Sequence, residues 1–273
     1  MSIKTRGWHP ICILTFLLIF SYGLLAQLKK ETLDAFDNCM TEVEAKITQK
    51  QSSAKDFLSI SEGQPDYKKV VADNGVAIRH IKDCSVPDGL AHHWLADTFI
   101  KGATVPQVLK VLNDVDRFPT VYSPRVISAK CVSSSGNKHT VEMVLQDSKA
   151  GVTVAFDGTY EVTQGELDPQ HVYSDSRSVQ VKIVKPQGKD YGIPWRLNTY
   201  WRLVQVPAGV IAECETISVT RDAPVLIAWL IRPFVTDIPQ QSLQFTLEST
   251  KKAALASKAN DSHCVSVQGR GAQ

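Results

Sequence analysis

The chain has 273 residues, 43% hydrophobic and 21% charged, which is enough apolar material for the core of one large domain. It carries 30 basic and 28 acidic residues, and two of the basic ones, Lys4 and Arg6, fall in the first 26 positions, which contain no acid. The remainder is therefore electrically balanced, which excludes the basic surface of a nucleic-acid-binding protein and gives no broad attraction to an anionic membrane.

The first 26 residues have the order of a secretory signal. Lys4 and Arg6 precede the apolar run Ile11–Phe20, and the small residue Ala26 follows it. This order predicts a signal peptide over residues 1–26 that is cleaved after Ala26. An uncleaved N-terminal anchor is the alternative. Either interpretation predicts an exported protein, periplasmic or extracellular.

The cysteines and histidines indicate no metal site. The sequence contains no CxxC pair, so a structural zinc ion is not expected. His92 and His93 are adjacent, so on a strand they point to opposite faces and cannot hold one ion together. An odd number of widely spaced cysteines is not a disulfide framework, and the spacing assigns no bridge among those that follow the signal: Cys39, Cys84, Cys131, Cys214 and Cys264.

Residues 27–75 are predicted to form a helix and a linker. Apolar residues recur there at three- and four-residue steps, which is typical of one buried helix face: Leu33, Phe36, Met40, Val43 and Ile47. The polar segment from residue 49 to 74, with Gly63 and Pro65 within it, then predicts a linker to the main domain.

From Val76 the pattern becomes that of a sheet. Strands are predicted at Val76–Ile81 and Leu90–Ile100, followed by a helix that Thr104 caps and Phe118-Pro119 ends. Six further strands with short links follow, which favours an antiparallel meander: 125–133, 138–148, 152–164, 171–185, 195–206 and 210–220.

A last helix closes the predicted domain. Asp237 is its expected cap, and Leu243 and Leu247 begin its buried stripe. The small, polar tail over residues 257–273 is predicted to be disordered.

The chain resembles the START-like (SRPBCC) superfamily, and within it exported bacterial members. The local matches are Gly89–Trp94, Val115–Pro119, Arg196–Tyr200 and Arg221-Asp222. The resemblance implies an α+β helix-grip fold over residues 76–256, in which a strongly curved antiparallel sheet wraps around the C-terminal helix. The N-terminal helix is an addition to that fold.

The same resemblance implies a function. START-like proteins include lipid-transfer domains, polyketide cyclase-like proteins and plant hormone receptors. The implied function here is non-enzymatic binding or transport of a lipid or another hydrophobic small molecule in an internal cavity, with transient membrane contact and no cofactor. Two alternatives stay open. One is a cyclase- or hydrolase-like enzyme that uses Glu142, Asp157 or Glu213, and the other is a protein-interaction module that docks through its N-terminal helix.

The hairpin from Trp195 to Thr220 combines aromatic residues with charges. Alternation puts Trp195, Leu197 and Trp201 on one strand face and Arg196, Asn198, Tyr200 and Arg202 on the other. A loop at Pro207-Ala208 pairs Arg202 with Glu213, and a loop at Ala208-Gly209 pairs it with Glu215.

Two placements of this charged face are compatible with the pattern. The charges either face water, or they line the cavity with Trp195 and Trp201 turned outward. In the plant-receptor branch, the strand that resembles Arg196–Tyr200 presents its tyrosine and the position two further on to the ligand. The resemblance therefore favours the cavity, and the predicted ligand-binding residues are Asn198, Tyr200, Arg202, Glu213 and Glu215.

Overall fold

The computed structural model describes residues 11–72, 75–87, 89–149, 152–184, 190–221 and 238–257. The helices are α1 (Ile11–Gln51), α2 (Pro65–Val71), α3 (Val105–Asn113), α4 (Phe118–Val121) and α5 (Ile238–Ala256), with a 3₁₀ turn at Val115–Arg117. The strands are β1 (Val76–His80), β2 (Gly89–Lys101), β3 (Val126–Ser135), β4 (Lys138–Lys149), β5 (Val152–Asp168), β6 (His171–Val184), β7 (Asp190–Val206) and β8 (Gly209–Arg221).

The eight strands form one curved antiparallel sheet in the order β1-β2-β8-β7-β6-β5-β4-β3. Strands β3 to β8 are a meander of neighbours along the chain, as predicted. The first strand pair joins it through β2, which pairs with β8 along its whole length, from Gly89 opposite Arg221 to Lys101 opposite Gly209. This long-range pairing is what joins the β1–β2 pair to the meander of β3 to β8 in one sheet.

Helix α5 lies across one face of the sheet, which is called the inner face from here on. Leu243, Leu247 and Ala254 of α5 pack against Trp201 and Leu203 of β7, and other residues of β2, β8 and α3 complete this core. The predicted helix-grip fold is thereby confirmed. Thr104 stands before α3 as predicted, and its backbone N–H donates to Gln107 Oε1 at 2.8 Å.

The opposite face, the outer face, is covered by α1. Phe36, Met40 and Ile47 are buried against Tyr200 and Ile217, so the predicted apolar stripe does pack on the sheet. A disulfide joins Cys39 of α1 to Cys84 in the loop after β1. The part of the sheet formed by β2, β7 and β8 is therefore buried on both faces, by α5 on one side and by α1 on the other.

Helix α1 runs without a break from Ile11 through Ala26, so residues 11–26 of the predicted signal belong to the same helix that packs on the sheet. Within the described part of the chain, no helix is both long and apolar enough to cross a membrane. Residues 1–10, the predicted cap Asp237 and positions 258–273 of the predicted tail lie outside the described residues.

The hairpin has the first of its two possible registers. Arg202 pairs with Glu213, and Pro207-Ala208 forms the loop. The predicted orientation of its faces is wrong, however. Trp201 belongs to the inner core and Leu197 also points inward, because α5 packs against that face and buries it. The side chain of Trp195 lies outside the described residues.

Candidate functional site

A cavity of about 280 Å³ lies between the inner face of the sheet and α5. Strands β4 to β8 contribute mainly alternate residues to its wall, as expected for one face of a sheet. The 3₁₀ turn, the start of β3 and α5 close it from the other side. Its lining is mainly apolar: Met143, Leu145, Phe156, Tyr160, Val162, Leu197, Trp201, Leu243 and Phe245.

Tyr160 provides a buried hydroxyl in this apolar wall. Its side chain lies over Gly158, where a Cβ would come within 2.8 Å of the hydroxyl oxygen, so only glycine leaves the ring this position. The hydroxyl has no hydrogen-bond partner among the described residues. Burial, and then the charge of Asp157, raise the pKa of Tyr160, so the group stays a neutral donor. A buried unpaired hydroxyl is costly, and a polar ligand atom would satisfy it.

Small hydroxyl residues and one thiol line the part of the wall that β6, β7 and β8 supply. The hydroxyl residues are Ser174, Ser176, Thr199, Thr216 and Ser218. Cys214 is a free, fully buried thiol at the same surface. Burial raises the pKa of Cys214 well above its usual value, so it is a protonated thiol and a poor nucleophile. This part of the cavity offers weak, neutral polar contacts to a bound molecule.

Charged side chains occur where α5 meets the ends of β3 and β4. Arg125 is hydrogen-bonded to both Asp147 and Ser242, and its guanidinium lies 5.2 Å from the ring centre of Phe245. Tyr122 is hydrogen-bonded to Thr250 of α5 at 2.9 Å. These contacts attach α5 to the sheet, and Asp147 is the carboxylate that lines the cavity.

The five predicted ligand-binding residues do not line this cavity. Asn198, Tyr200, Arg202, Glu213 and Glu215 all lie on the outer face, because their neighbours in the sequence fill the inner core. The prediction that they form the polar centre of the cavity is therefore wrong. They do not face water either, since α1 and the connector after it cover them and their exposed fractions are 0–7%.

The acids considered for catalysis are also elsewhere. Glu142 and Asp157 are exposed, and Glu213 lies on the outer face. None of the three lines the cavity of α5. The enzyme hypothesis thus loses the carboxylates on which it was based.

Arg202 is the centre of the buried charges on the outer face. Its Nε donates to Glu213 Oε1 at 2.6 Å and its Nη2 to Glu215 Oε2 at 2.5 Å. Each carboxylate has a second partner, since the backbone N–H of Ser59 donates to Glu213 Oε2 at 2.7 Å and His93 Nε2 lies 2.6 Å from Glu215 Oε1. Burial opposes the charge on Glu215, but His93 and Arg202 lower its pKa to about 2.

Asp97 and Arg79 extend this group, and sequence reasoning missed both. Arg79 Nη2 donates to Asp97 Oδ2 at 2.6 Å, and Asp97 pairs across the strands with Glu213. Burial first, and then the negative charge of Glu213, raise the pKa of Asp97 to about 9. With Asp97 neutral, the guanidinium groups of Arg79 and Arg202 balance the carboxylates of Glu213 and Glu215. The six residues Arg79, His93, Asp97, Arg202, Glu213 and Glu215 are called the outer-face charge cluster below.

Of the other two predicted residues, Tyr200 binds α1 and Asn198 supports Tyr200. The hydroxyl of Tyr200 donates to Glu44 Oε1 at 2.7 Å, and Arg177 Nε donates to the same oxygen at 2.6 Å. Asn198 Nδ2 donates to the Tyr200 oxygen at 3.3 Å, and Asn198 Oδ1 accepts the backbone N–H of Ser178 at 3.0 Å. These residues therefore have a structural role in the contact between helix and sheet. Glu215 alone of the five borders an opening, the cleft between α1 and the edge strand β1.

No family model matches the chain, and no curated protein matches it. Solved structures do. A STAR-related lipid transfer protein from Xanthomonas axonopodis is 18% identical with a TM-score of 0.45, over 65% of this chain and 98% of that one. Human StAR-related lipid transfer protein 5 is 12% identical with a TM-score of 0.48, over 67% and 83% of the two chains.

A second kind of protein has a similar structure. The Zhui aromatase/cyclase from a Streptomyces species is 13% identical with a TM-score of 0.44, over 66% of this chain and 94% of that one. Lipid-transfer and cyclase-like proteins are two of the three kinds of START-like protein that the sequence suggested, and plant hormone receptors are the third. At these identities and TM-scores, the similarity assigns neither a ligand nor a residue role to this chain.

Proposed function

We propose that the protein binds a lipid or another hydrophobic small molecule in the cavity between the sheet and α5, without catalysing a reaction on it. The observation that carries the proposal is the cavity itself, an apolar space whose wall contains the Tyr160 hydroxyl, buried and without a partner among the described residues. Apolar lining with a few polar groups that fix orientation is the usual composition of a small-molecule site.

The size of the cavity limits what fits. Its volume of about 280 Å³ falls just below the roughly 300–1,000 Å³ that is common for ligand pockets. A compact molecule, or one apolar portion of a larger one, matches this space. The Tyr160 hydroxyl favours a ligand with a hydrogen-bond acceptor on its buried part.

The proposal is tested by filling the cavity. Lipids and other small molecules are extracted from the purified protein and identified by mass spectrometry, and the affinity for the molecule found is then measured. Met143→Trp adds a large ring to the cavity wall, so we expect it to lower that affinity at least about tenfold, or 1.4 kcal/mol.

Val132→Trp is the matched control, because Val132 is exposed on β3 and lies outside the cavity. We expect it to bind as the wild type does. Equal affinity of the Met143→Trp and Val132→Trp proteins would show that the ligand is held elsewhere.

Export is proposed with this function. It is supported by the secretory order of residues 1–26 and, independently, by the disulfide between Cys39 and Cys84. Structural disulfides form and persist in oxidising compartments and are rare in the cytosol. A ligand carrier of the cell envelope or the exterior fits both observations.

A further inference from the structure

Two histidines and an aspartate meet at the start of the sheet. His80 is the last residue of β1, Asp83 follows it in the loop, and His92 lies on β2. One ligand atom from each residue lies within 4.8 Å of the other two. His80 Nε2 is 3.0 Å from Asp83 Oδ1 and 3.1 Å from Oδ2. The third member, His92, comes close because β1 and β2 are adjacent strands.

The ring nitrogen Nε2 of His92 is the unusual atom in this group. It is buried, and it has no hydrogen-bond partner among the described residues. Buried polar atoms are nearly always paired, so an unpaired one calls for an explanation such as an absent ion or ligand. The neighbouring residue His93 shows the contrast, because it points to the outer face and is paired with Glu215. The two histidines thus point to opposite faces, as expected, and His92 does not share the hydrogen-bond partner of His93.

The loop that carries Asp83 is held in place from both sides. Asp83 Oδ1 accepts the backbone N–H of His93 at 2.9 Å, and the backbone N–H of Ile81 donates to the His93 carbonyl at 2.8 Å. The next residue, Cys84, is bonded to Cys39 of α1. A carboxylate that is oriented by a second hydrogen bond on a fixed loop is the arrangement that tunes and positions metal ligands.

We propose that His80, Asp83 and His92 bind a divalent transition-metal ion, with zinc as the first choice. Two imidazoles and one carboxylate are ligands that zinc accepts, and three protein ligands leave a fourth position for water or another molecule. Nitrogen and oxygen ligands about 2.0–2.1 Å from a tetrahedral ion lie roughly 3.4 Å apart, so modest side-chain rotations close the present spacing. His80 is partly exposed, which leaves the ion a path of entry.

The proposed site belongs to the cavity side of the sheet. His92 pairs across the strands with Ser218, which lines the cavity. Ala96 and Ile100, at even steps from His92 along β2, belong to the inner core. An ion held by His92 would therefore be bound from the inner face at the end of the sheet, while Asp83 also borders the cleft between α1 and β1.

The test uses zinc as the probe. The purified, tag-free protein is treated with a chelator, dialysed and titrated with ZnCl₂ by calorimetry, and bound zinc is counted by mass spectrometry. We expect one ion per chain. His92→Gln and Asp83→Asn should each weaken binding at least about tenfold. Asn keeps the oxygen that accepts the His93 N–H, so Asp83→Asn removes charge with little change in shape.

His171→Gln is the matched control. His171 pairs with Asp168 at 2.9 Å, also three residues apart, but with no second imidazole in the group. We expect it to bind zinc as the wild type does. Circular dichroism checks that each variant is folded, and His80→Gln, at a partly exposed position, replaces His92→Gln if that variant is not. Absence of a stoichiometric ion in the wild type, or equal binding by the His92→Gln and His171→Gln proteins, would overturn the proposal.

Discussion

Arg202 carries a positive charge with no exposed surface, and two carboxylates depend on it. Glu215 has one further partner, the ring of His93, and Glu213 has two, the backbone N–H of Ser59 and Arg79 Nη2 at 3.9 Å. Of these partners only Arg79 brings a permanent positive charge, and its guanidinium donates its short hydrogen bond to Asp97. Truncation of Arg202 would therefore leave two buried acids without their guanidinium, which is the most destabilising way to break a buried pair.

Arg202→Ala should lower the free energy of unfolding by about 3–5 kcal/mol, because it leaves uncompensated charge in the interior. Urea unfolding followed by circular dichroism measures the change. Arg117→Ala is the comparison, since Arg117 is exposed and lies 3.9 Å from Asp114. It should cost about 0–1 kcal/mol. A loss of under about 1 kcal/mol for Arg202→Ala would mean that water reaches the cluster.

Asp97 makes stability depend on pH in the direction opposite to most acids. Its folded-state pKa of about 9 is above the ordinary value of 3.8, so the folded protein binds a proton that the unfolded chain releases. Its contribution is complete below about pH 4 and is lost as the pH rises towards 9. Glu215 behaves conversely, since its pKa of about 2 gives stability that is lost as the pH falls below about 4.5.

Asp97→Asn should remove the part of the pH dependence of stability that Asp97 causes, because an amide does not titrate. The wild type should become less stable relative to the variant as the pH rises. Between about pH 5 and 8, the difference in their free energies of unfolding should change by up to about 1.4 kcal/mol per pH unit. Urea midpoints at several pH values give this slope. A difference that does not vary with pH would show that Asp97 is ionised in the folded protein.

At the scale of elements, α1 and the connector after it provide partners for the buried polar groups of the outer face. Helix α1 supplies Glu44 to Tyr200 and Arg177, and the connector after it supplies the Ser59 N–H to Glu213. The polar face of β7 and β8 is thus matched by polar groups of a covering segment. One covalent bond, Cys39–Cys84, fixes this segment to the sheet.

Replacement of both cysteines by serine should destabilise the protein, because the bond closes a loop over a sequence separation of 45 residues. The chain-entropy model gives on the order of 4 kcal/mol for such a loop, and losses of about 2–5 kcal/mol are typical. Urea unfolding of the Cys39→Ser/Cys84→Ser protein measures the loss.

The adjacent exposed positions provide the control for this double change. Asn38→Ser combined with Ser85→Ala should stay within about 0.5 kcal/mol of the wild type. If the two double variants unfold alike, the covering contacts of α1 alone determine its stability on the sheet.

Most elements were predictable because their signals are local. The capping position Thr104, the turns between strands and the apolar stripe of α1 are each contained in a few neighbouring residues. The faces of β7 were not predictable, because alternation separates two faces without saying which one meets α5. Asp97 was missed for a related reason, since its partner Glu213 is brought to it by a strand pairing that the sequence does not mark.

At the scale of the whole molecule, one sheet separates two interiors of different chemistry. The inner one is apolar and hollow, and it is the candidate ligand site. The outer one is filled by α1 and contains the buried charges. Strand β7 serves both, with Trp201 turned to the cavity and Arg202 to the charges. The resemblance to START-like proteins predicted the fold correctly. It placed Tyr200 and Arg202 on the cavity face of the sheet, whereas both lie on the outer face.

The pairing of β2 with β8 also sets an order of events during synthesis. Lys101 and Gly209, the closest pair in sequence across these strands, are separated by most of the domain. Until β8 has emerged, β2 has β1 as its only sheet neighbour and presents a row of unpaired backbone groups on its other edge. The β1–β2 pair and the hairpins of the later meander can form from local contacts before then. The nascent chain therefore carries an open strand edge for more than a hundred residues of elongation, and His93 meets Glu215 only when that edge closes.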